Sequence, residues 1–253
     1  MHDEAQSALA LSLNQSETYY RRHLPHYQPE GETYHVVFRL AGSLPASVIA
    51  ELRFQREQEE TRITAAKNEE EKAKRLRNHR WKYFERIDKL LDGTTRGPFW
   101  LRKHEVAALV DEAIRYRDRK EYDLITSTIM PNHVHLVFRL LGTSGEDGTA
   151  SRPTETRVRR VADPTLPHSN QRGPFPVTDL LSSLKKYTAL RANRILGRRG
   201  AFWQDESYDH VIRDLAELDR TVEYVLMNPV KAGLCNDWRE WKWSYVKQGF
   251  MGD

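Results

Sequence analysis

Three segments of the chain concentrate apolar and β-branched residues in the short runs that are typical of strands. They cover residues 34–40, 122–130 and 133–140. Pro131 and Asn132 separate the second run from the third and act as a turn signal. We therefore expect these two runs to pair as an antiparallel hairpin or to form one bent strand.

Apolar residues at helical spacing predict three amphipathic helices, over residues 103–119, 177–196 and 214–227. Gly197 directly follows the second helix, and Asn228 with Pro229 follows the third, as expected for helix ends. The segment 202–213 between them is expected to be a short structured connector.

Charge dominates a further segment. Residues 48–91 are rich in Glu, Lys and Arg and almost free of Gly and Pro, which predicts one long or two medium helices. Residues 142–176 have no periodicity and are predicted to be a flexible linker. We expect a single domain with a charged helical insertion at about 46–92, this linker, and a C-terminal helical part at 177–253.

Composition excludes several classes of protein. Cys235 is the only cysteine, so neither an internal disulfide nor a cysteine zinc site is possible, and a reducing compartment is expected. We find no secretory signal and no apolar run long enough to span a membrane, and we expect a cytoplasmic protein. The net charge of +4 permits nucleic-acid binding, and the basic residues cluster in particular segments.

Two histidines suggest a metal site. His133 and His135 are two residues apart within a predicted strand, so their side chains point to the same face. Two neutral imidazoles on one face can share a divalent metal ion. The spacing is also compatible with a hydrogen-bonded or exposed histidine pair that binds no metal.

The helix over 177–196 combines an apolar stripe, one tyrosine and many basic residues. Tyr187 shares a face with Leu180 and Leu184, so it is either a core residue or faces the histidines with its hydroxyl. The basic residues of this helix and of the turn after it suit a phosphate backbone. These predicted DNA contacts are Lys185, Lys186, Arg191, Arg194, Arg198 and Arg199.

These features together predict a DNA-nicking site. A tyrosine hydroxyl can attack phosphorus and form a covalent phosphotyrosine, but its pKa is near 10 and it needs assistance. A metal held by His133 and His135 would assist Tyr187 by polarising the scissile phosphate. The alternatives are a metal-dependent hydrolase that uses water as the nucleophile, and a hairpin DNA-binding or RNA-binding protein without catalytic activity.

The same blocks resemble a known family. Residues 131–135 resemble the His-hydrophobic-His signature of IS200-like single-tyrosine transposases (the HUH, Y1 type). Residues 34–45 resemble the first strand and turn of that family, and 185–189 with Asn193 resemble its nucleophile helix. Three further blocks, 202–204, 208–213 and 224–234, resemble the REP-associated branch.

The resemblance implies a ferredoxin-like α+β fold, with an antiparallel sheet, flanking helices and C-terminal helices. It implies that His133 and His135 bind Mg²⁺ or Mn²⁺ and that Tyr187 attacks single-stranded DNA beside a hairpin, such as a REP hairpin. The products would be a 5′-phosphotyrosine and a free 3′-OH, and rejoining would complete DNA transposition or recombination. The protein would be a monomer or a homodimer associated with the bacterial nucleoid.

The third metal ligand is the point at which this assignment departs from the family pattern. Such transposases usually supply that ligand one turn after the tyrosine. Arg191 stands at this distance from Tyr187, and a guanidinium cannot ligate a metal. Asn193 is one candidate for the third ligand, and water or another side chain is the alternative. A domesticated hairpin DNA-binding protein with weak or no activity is the alternative function.

Overall fold

The computed structural model describes residues 19–21, 25–27, 31–65, 68–142 and 176–250. Residues 143–175, nearly all of the predicted linker, lie outside the described residues. The strands are β1 (Tyr19–Arg21), β2 (Pro25–Tyr27), β3 (Thr33–Leu40), β4 (Tyr122–Ile129), β5 (His133–Leu140), β6 (Trp203–Ile212) and β7 (Ser244–Val246). The α-helices are α1 (Ala46–Thr64), α2 (Glu69–Gly93), α3 (His104–Arg117), α4 (Pro176–Ile195) and α5 (Leu215–Lys231).

Five strands form one antiparallel sheet in the order β6-β3-β5-β4-β7. The helix α3 lies between β3 and β4 in the chain, and α4 lies between β5 and β6. This order of the four long strands, with helical crossovers, is that of the ferredoxin-like β-α-β-β-α-β arrangement. The predicted α+β fold class is confirmed.

Alternation along the strands gives the sheet two different faces. On one, which we call the core face, Tyr34, Val36, Val134 and Leu136 pack with α3 and α4 in the largest buried apolar cluster. The other, which we call the site face, carries the two histidines of β5 and is covered by α2 and α5. A smaller apolar cluster holds α5 on the site face through Val137.

The charged segment folds as two helices, α1 and α2, which together we call the helical arm. Asn68 caps α2, since its side chain accepts a hydrogen bond from the Glu71 amide at 3.0 Å. Most side chains of α2 are solvated, but near its C-terminal end Phe84, Asp88 and Leu91 are buried. The arm therefore rests its C-terminal turns on the site face.

Two boundaries differ from the sequence prediction. The predicted connector is instead the ten-residue edge strand β6 (Trp203–Ile212). Helix α5 does not end at Met227 but continues through Pro229 to Lys231. Pro229 is tolerated because it lies in the last turn, where its missing N–H removes only one helical hydrogen bond. Among the described residues, no helix is long and apolar enough to cross a membrane.

The start of α5 provides a test of this fold. The Asp214 carboxylate accepts a hydrogen bond from the Glu217 amide at 2.7 Å and caps the helix. We expect Asp214→Ala to lower the free energy of unfolding by about 1 kcal/mol in urea titrations. The control Asp219→Ala, at an exposed position of the same helix, should change it by less than about 0.5 kcal/mol. Equal effects of the two substitutions would contradict the capping role.

Candidate metal and tyrosine site

The two histidines lie side by side at the start of β5, on the site face of the sheet. Both side chains are fully buried, at 0% exposure. Val134 lies between them in sequence and packs on the core face, as the alternation of a strand requires. The predicted juxtaposition of His133 and His135 is therefore present, and their Nε2 atoms are 2.9 Å apart.

Neighbouring side chains hold each imidazole in a fixed orientation. The Asn132 side-chain oxygen lies 2.7 Å from Nδ1 of His133, so this nitrogen donates and carries the proton. The Asn228 side-chain amide donates to Nε2 of His135 at 2.9 Å. Nδ1 of His135 then carries the proton and faces Nε2 of His35 at 3.2 Å. Both Nε2 atoms are thus unprotonated, which is the form that binds metals, and a metal at His135 would replace the hydrogen bond from Asn228.

A carboxylate from the helical arm completes the cluster. Oδ1 of Asp88 lies 3.1 Å from Nε2 of His135 and 3.4 Å from Nε2 of His133. This oxygen is buried and accepts no hydrogen bond from any described residue. Three acceptor atoms therefore converge without a proton between them. Donor atoms that share a metal at about 2.1 Å lie about 3 Å apart, so this geometry fits a divalent cation.

The electrostatic state of the cluster agrees with such a role. Burial lowers the pKa of His133 to about 3, which keeps it neutral at physiological pH. Burial raises the pKa of the Asp88 carboxyl, but the neighbouring His135 and the hydrogen bond from Tyr224 outweigh burial and hold the pKa below its ordinary value. Burial and the charge of Asp88 raise the pKa of Asp92, one turn later in α2, to about 7. A cation would relieve this excess of acceptors.

A tyrosine reaches the same cluster from α5. The hydroxyl of Tyr224 donates a short hydrogen bond to Oδ2 of Asp88, the oxygen that does not face the imidazoles. Its ring centroid lies 6.2 Å from that of His135. Burial, and then the charge of Asp88, raise the pKa of Tyr224 above its ordinary value, so the hydroxyl keeps its proton here. Asn228 follows Tyr224 by four residues and contacts the same imidazole.

The structure does not bring Tyr187 to the histidines, which corrects the predicted site. Tyr187 lies in α4 and packs with the apolar cluster on the core face, so the sheet separates it from His133 and His135. The guanidinium carbons of Arg191 and Arg117 lie 4.6 Å and 5.8 Å from the centre of its ring. The physical reason is the apolar stripe of α4, which turns Tyr187 towards the core.

Several other predicted residues have structural roles. Lys185 donates to the carbonyl oxygens of Gln204 and Asp205 and to the Ser207 hydroxyl, which ties α4 to β6. Asn193 lies in α4 and donates to the carbonyl oxygen of Gly200 at 2.9 Å, and its role as third ligand remains a prediction.

The remaining basic positions differ in exposure. Arg198 donates to Asn193 and packs over the Trp100 ring at 3.8 Å. Lys186, Arg194 and Arg199 are exposed, and their contacts with DNA remain a prediction.

Sequence reasoning missed Asp88, Tyr224, Asn228 and His35. A signal for two of them was present, since Asn228 stands one helical turn after Tyr224 and both lie within the block 224–234 that the resemblance included. His35 lies within a block that the resemblance included. No sequence signal distinguished Asp88 from the many acidic residues of the arm.

Comparisons with known proteins give a limited match. No protein-family model matches the chain. A Haemophilus influenzae protein, provisionally named a REP-associated tyrosine transposase, is 24% identical over 123 residues, which are 49% of this chain and 58% of that protein. The chain thus spans less than two thirds of this curated relative, and it resembles REP-associated tyrosine transposases in sequence. A solved REP-associated tyrosine transposase bound to a REP hairpin aligns with 89% of this chain and 80% of that chain, at 14% identity and a TM-score of 0.43.

Proposed function

We propose that this protein nicks and rejoins single-stranded DNA beside a hairpin, with a divalent metal and with Tyr224 as the nucleophile. The observation that carries the proposal is the convergence of the Tyr224 hydroxyl, the Asp88 carboxylate and two lone-pair imidazoles at one point. The order of sequence blocks and the named relative support DNA as the substrate. A tyrosine beside a histidine metal cluster is suited to phosphoryl transfer rather than to redox chemistry.

In the proposed reaction, one phosphoester bond replaces another and the tyrosine proton is taken up within the site. The Tyr224 oxygen attacks phosphorus, the bond from phosphorus to the 3′ oxygen breaks, and the hydroxyl proton passes to Oδ2 of Asp88, to which it is already hydrogen-bonded. The 3′ oxygen leaves as a hydroxyl and takes up, through water, the proton that Asp88 accepted from Tyr224, so Asp88 returns to its ionised form. Attack of a 3′-OH on the phosphotyrosine reverses these steps and joins the strands. No nucleotide cofactor is required, because the phosphotyrosine conserves the bond energy.

His133, His135 and Asp88 would hold the metal, and the Asn228 amide oxygen would join them if the amide turned over. A bound divalent cation would polarise the scissile phosphate and offset the charge that develops on its oxygens. Asn132 and His35 would orient the two imidazoles from behind. Lys231, whose Nζ lies 4.5 Å from the centre of the Tyr224 ring, would add positive charge for the phosphate.

The donor set favours Mn²⁺ over Mg²⁺. Two of the three proposed ligand atoms are imidazole nitrogens, whereas Mg²⁺ prefers oxygen ligands in a strict octahedron. We expect half-maximal formation of the covalent adduct at a Mn²⁺ concentration about tenfold below that for Mg²⁺. Titrating each metal into protein with a labelled hairpin oligonucleotide measures both values. A lower requirement for Mg²⁺ would contradict the proposed ligands.

One observation favours the second candidate, a hairpin DNA-binding protein without strand cleavage. The helical arm covers the cluster, and both imidazoles are at 0% exposure. Under the first proposal, the arm must shift when DNA and metal enter. A denaturing gel of protein and labelled hairpin oligonucleotide with Mn²⁺ separates the two candidates. A covalent band supports the enzyme, whereas tight binding without any band supports the binding protein.

A further inference from the structure

A cleft lies between the helical arm and strands β3 and β6. It opens beside the metal cluster, since Asp88 is part of its wall. Neither the sequence resemblance nor the cluster chemistry assigns it a role.

The cleft has flat aromatic and apolar walls. The rings of Phe84 and Tyr208 stack with centroids 4.3 Å apart, and Tyr83, Ile49 and Ile87 extend the apolar surface. Nucleobases stack on such surfaces, because each base has an apolar π-face. Planar ligands therefore suit the cleft better than compact ions.

Two residues that line the cleft each carry a buried polar atom that has no hydrogen-bond partner among the described residues. These are the Tyr208 hydroxyl and Oε1 of Glu206, whose other carboxylate oxygen accepts from Arg53. Buried polar atoms are nearly always hydrogen-bonded, so unpaired ones that line a cleft indicate a ligand. A carboxylate oxygen accepts from the exocyclic amino group of a base, as in pairing with the N4 amino group of cytosine.

The charge of the walls suits a nucleotide within a strand. The guanidiniums of Arg39, Arg53 and Arg56 face two carboxylates, those of Glu206 and Asp88. Arg56 is also paired with Glu60 at 3.8 Å, which leaves Arg39 and Arg53 beside the position proposed for the scissile phosphate. Arginine pairs with phosphate oxygens through its planar array of donors.

We propose that this cleft receives one base of the DNA strand next to the scissile phosphate and that Glu206 reads its amino group. The inference rests on the proposed function and adds to it a preference for certain bases at one position of the DNA strand. Adenine, guanine and cytosine carry an amino group, whereas thymine does not. The cleft therefore disfavours thymine at one flanking position and requires a base there.

Equilibrium binding tests the proposal without relying on cleavage. The probes are hairpin oligonucleotides from palindromic repeats of the encoding genome, with single-stranded arms in which each position in turn is abasic or thymine. Fluorescence anisotropy gives Kd for wild type and for Glu206→Gln. We expect one position at which an abasic site weakens wild-type binding about tenfold or more. Glu206→Gln should reduce the thymine penalty at that position to less than about twofold.

Asp123→Asn is the matched control, because Asp123 forms a similarly half-buried ion pair, with Lys247, away from the cleft. It should retain the wild-type binding profile. Identical profiles for wild type and Glu206→Gln, or no sensitive position, would overturn the proposal. Adduct formation in the same samples with Mn²⁺ reports on the proposed function separately. An adduct without a sensitive position overturns the cleft alone, and a sensitive position without an adduct overturns the nicking proposal alone.

Discussion

Tyr224→Phe is expected to abolish the covalent protein–DNA adduct, with a loss of at least about 10³-fold, because the attacking oxygen is removed. The fold should be retained, since the ring keeps its packing against Trp81 and Phe84. Hairpin binding should change by less than about threefold, because phosphate and base contacts supply the affinity. Denaturing gels measure the adduct, and anisotropy measures Kd on the same preparations.

Tyr187→Phe is the matched control, the same substitution at the tyrosine that the sequence favoured. Its ring lies on the core face, so we expect adduct yield within about twofold of wild type and a small change in stability, of about 1 kcal/mol or less. The opposite pattern, an adduct lost in Tyr187→Phe and kept in Tyr224→Phe, would contradict the assignment. Loss in neither variant would place the covalent link on another residue, whereas strand cleavage without any adduct in the wild type would support water as the nucleophile.

Removing a ligand of the proposed metal site should have the next largest effect. We expect His133→Ala and Asp88→Asn each to weaken Mn²⁺ binding by at least about 100-fold and to reduce the adduct in proportion. The reason is that each residue supplies one of the three converging acceptor atoms. Nε2 of His133 and Oδ1 of Asp88 lie 3.4 Å apart. Calorimetric titration with Mn²⁺ measures affinity, and thermal unfolding with and without Mn²⁺ reports whether each variant folds and binds.

His210→Gln controls for the loss of a histidine near the cluster. His210 bonds to Glu217 at 2.7 Å and does not face the converging atoms, so Mn²⁺ affinity should stay within about threefold of wild type. If His133→Ala retained wild-type Mn²⁺ affinity in a folded protein, the metal site would be wrong. A retained adduct in EDTA would contradict metal dependence directly.

The central strands were predictable because their physical signals are local. The run 133–140 is apolar and β-branched, and the structure forms β5 over the same residues. Alternation alone then placed His133 and His135 on one face. The pairing of β5 with β3 required the resemblance, since it joins residues about one hundred positions apart.

The tyrosine was not predictable from helix patterning. Both α4 and α5 carry a single tyrosine on an apolar stripe, and periodicity does not tell which face of a sheet a helix will cover. The basic residues drew the interpretation to Tyr187, although Lys185 proves to serve packing between α4 and β6. The spacing of Tyr224 and Asn228 was the better signal, because it places an amide one turn after the hydroxyl.

Asp88 illustrates a different limit. The helical arm is rich in acidic side chains, and most of them are solvated or paired along their own helix, as Glu71 is with Arg75. Only the fold of the arm onto the site face buries Asp88 and aims it at the imidazoles. A contact between distant elements leaves no mark on local periodicity, so a third ligand from this segment could not be inferred from the sequence.

The most direct test is to identify the amino acid that becomes linked to DNA. Trypsin digestion of the adduct formed with Mn²⁺ separates the two candidate tyrosines, since Tyr187 lies in the peptide 187–191 and Tyr224 in the peptide 221–231. Mass spectrometry after nuclease trimming shows which peptide carries the nucleotide. The account predicts the mass addition on 221–231, at Tyr224. The addition on 187–191, at Tyr187, would contradict it.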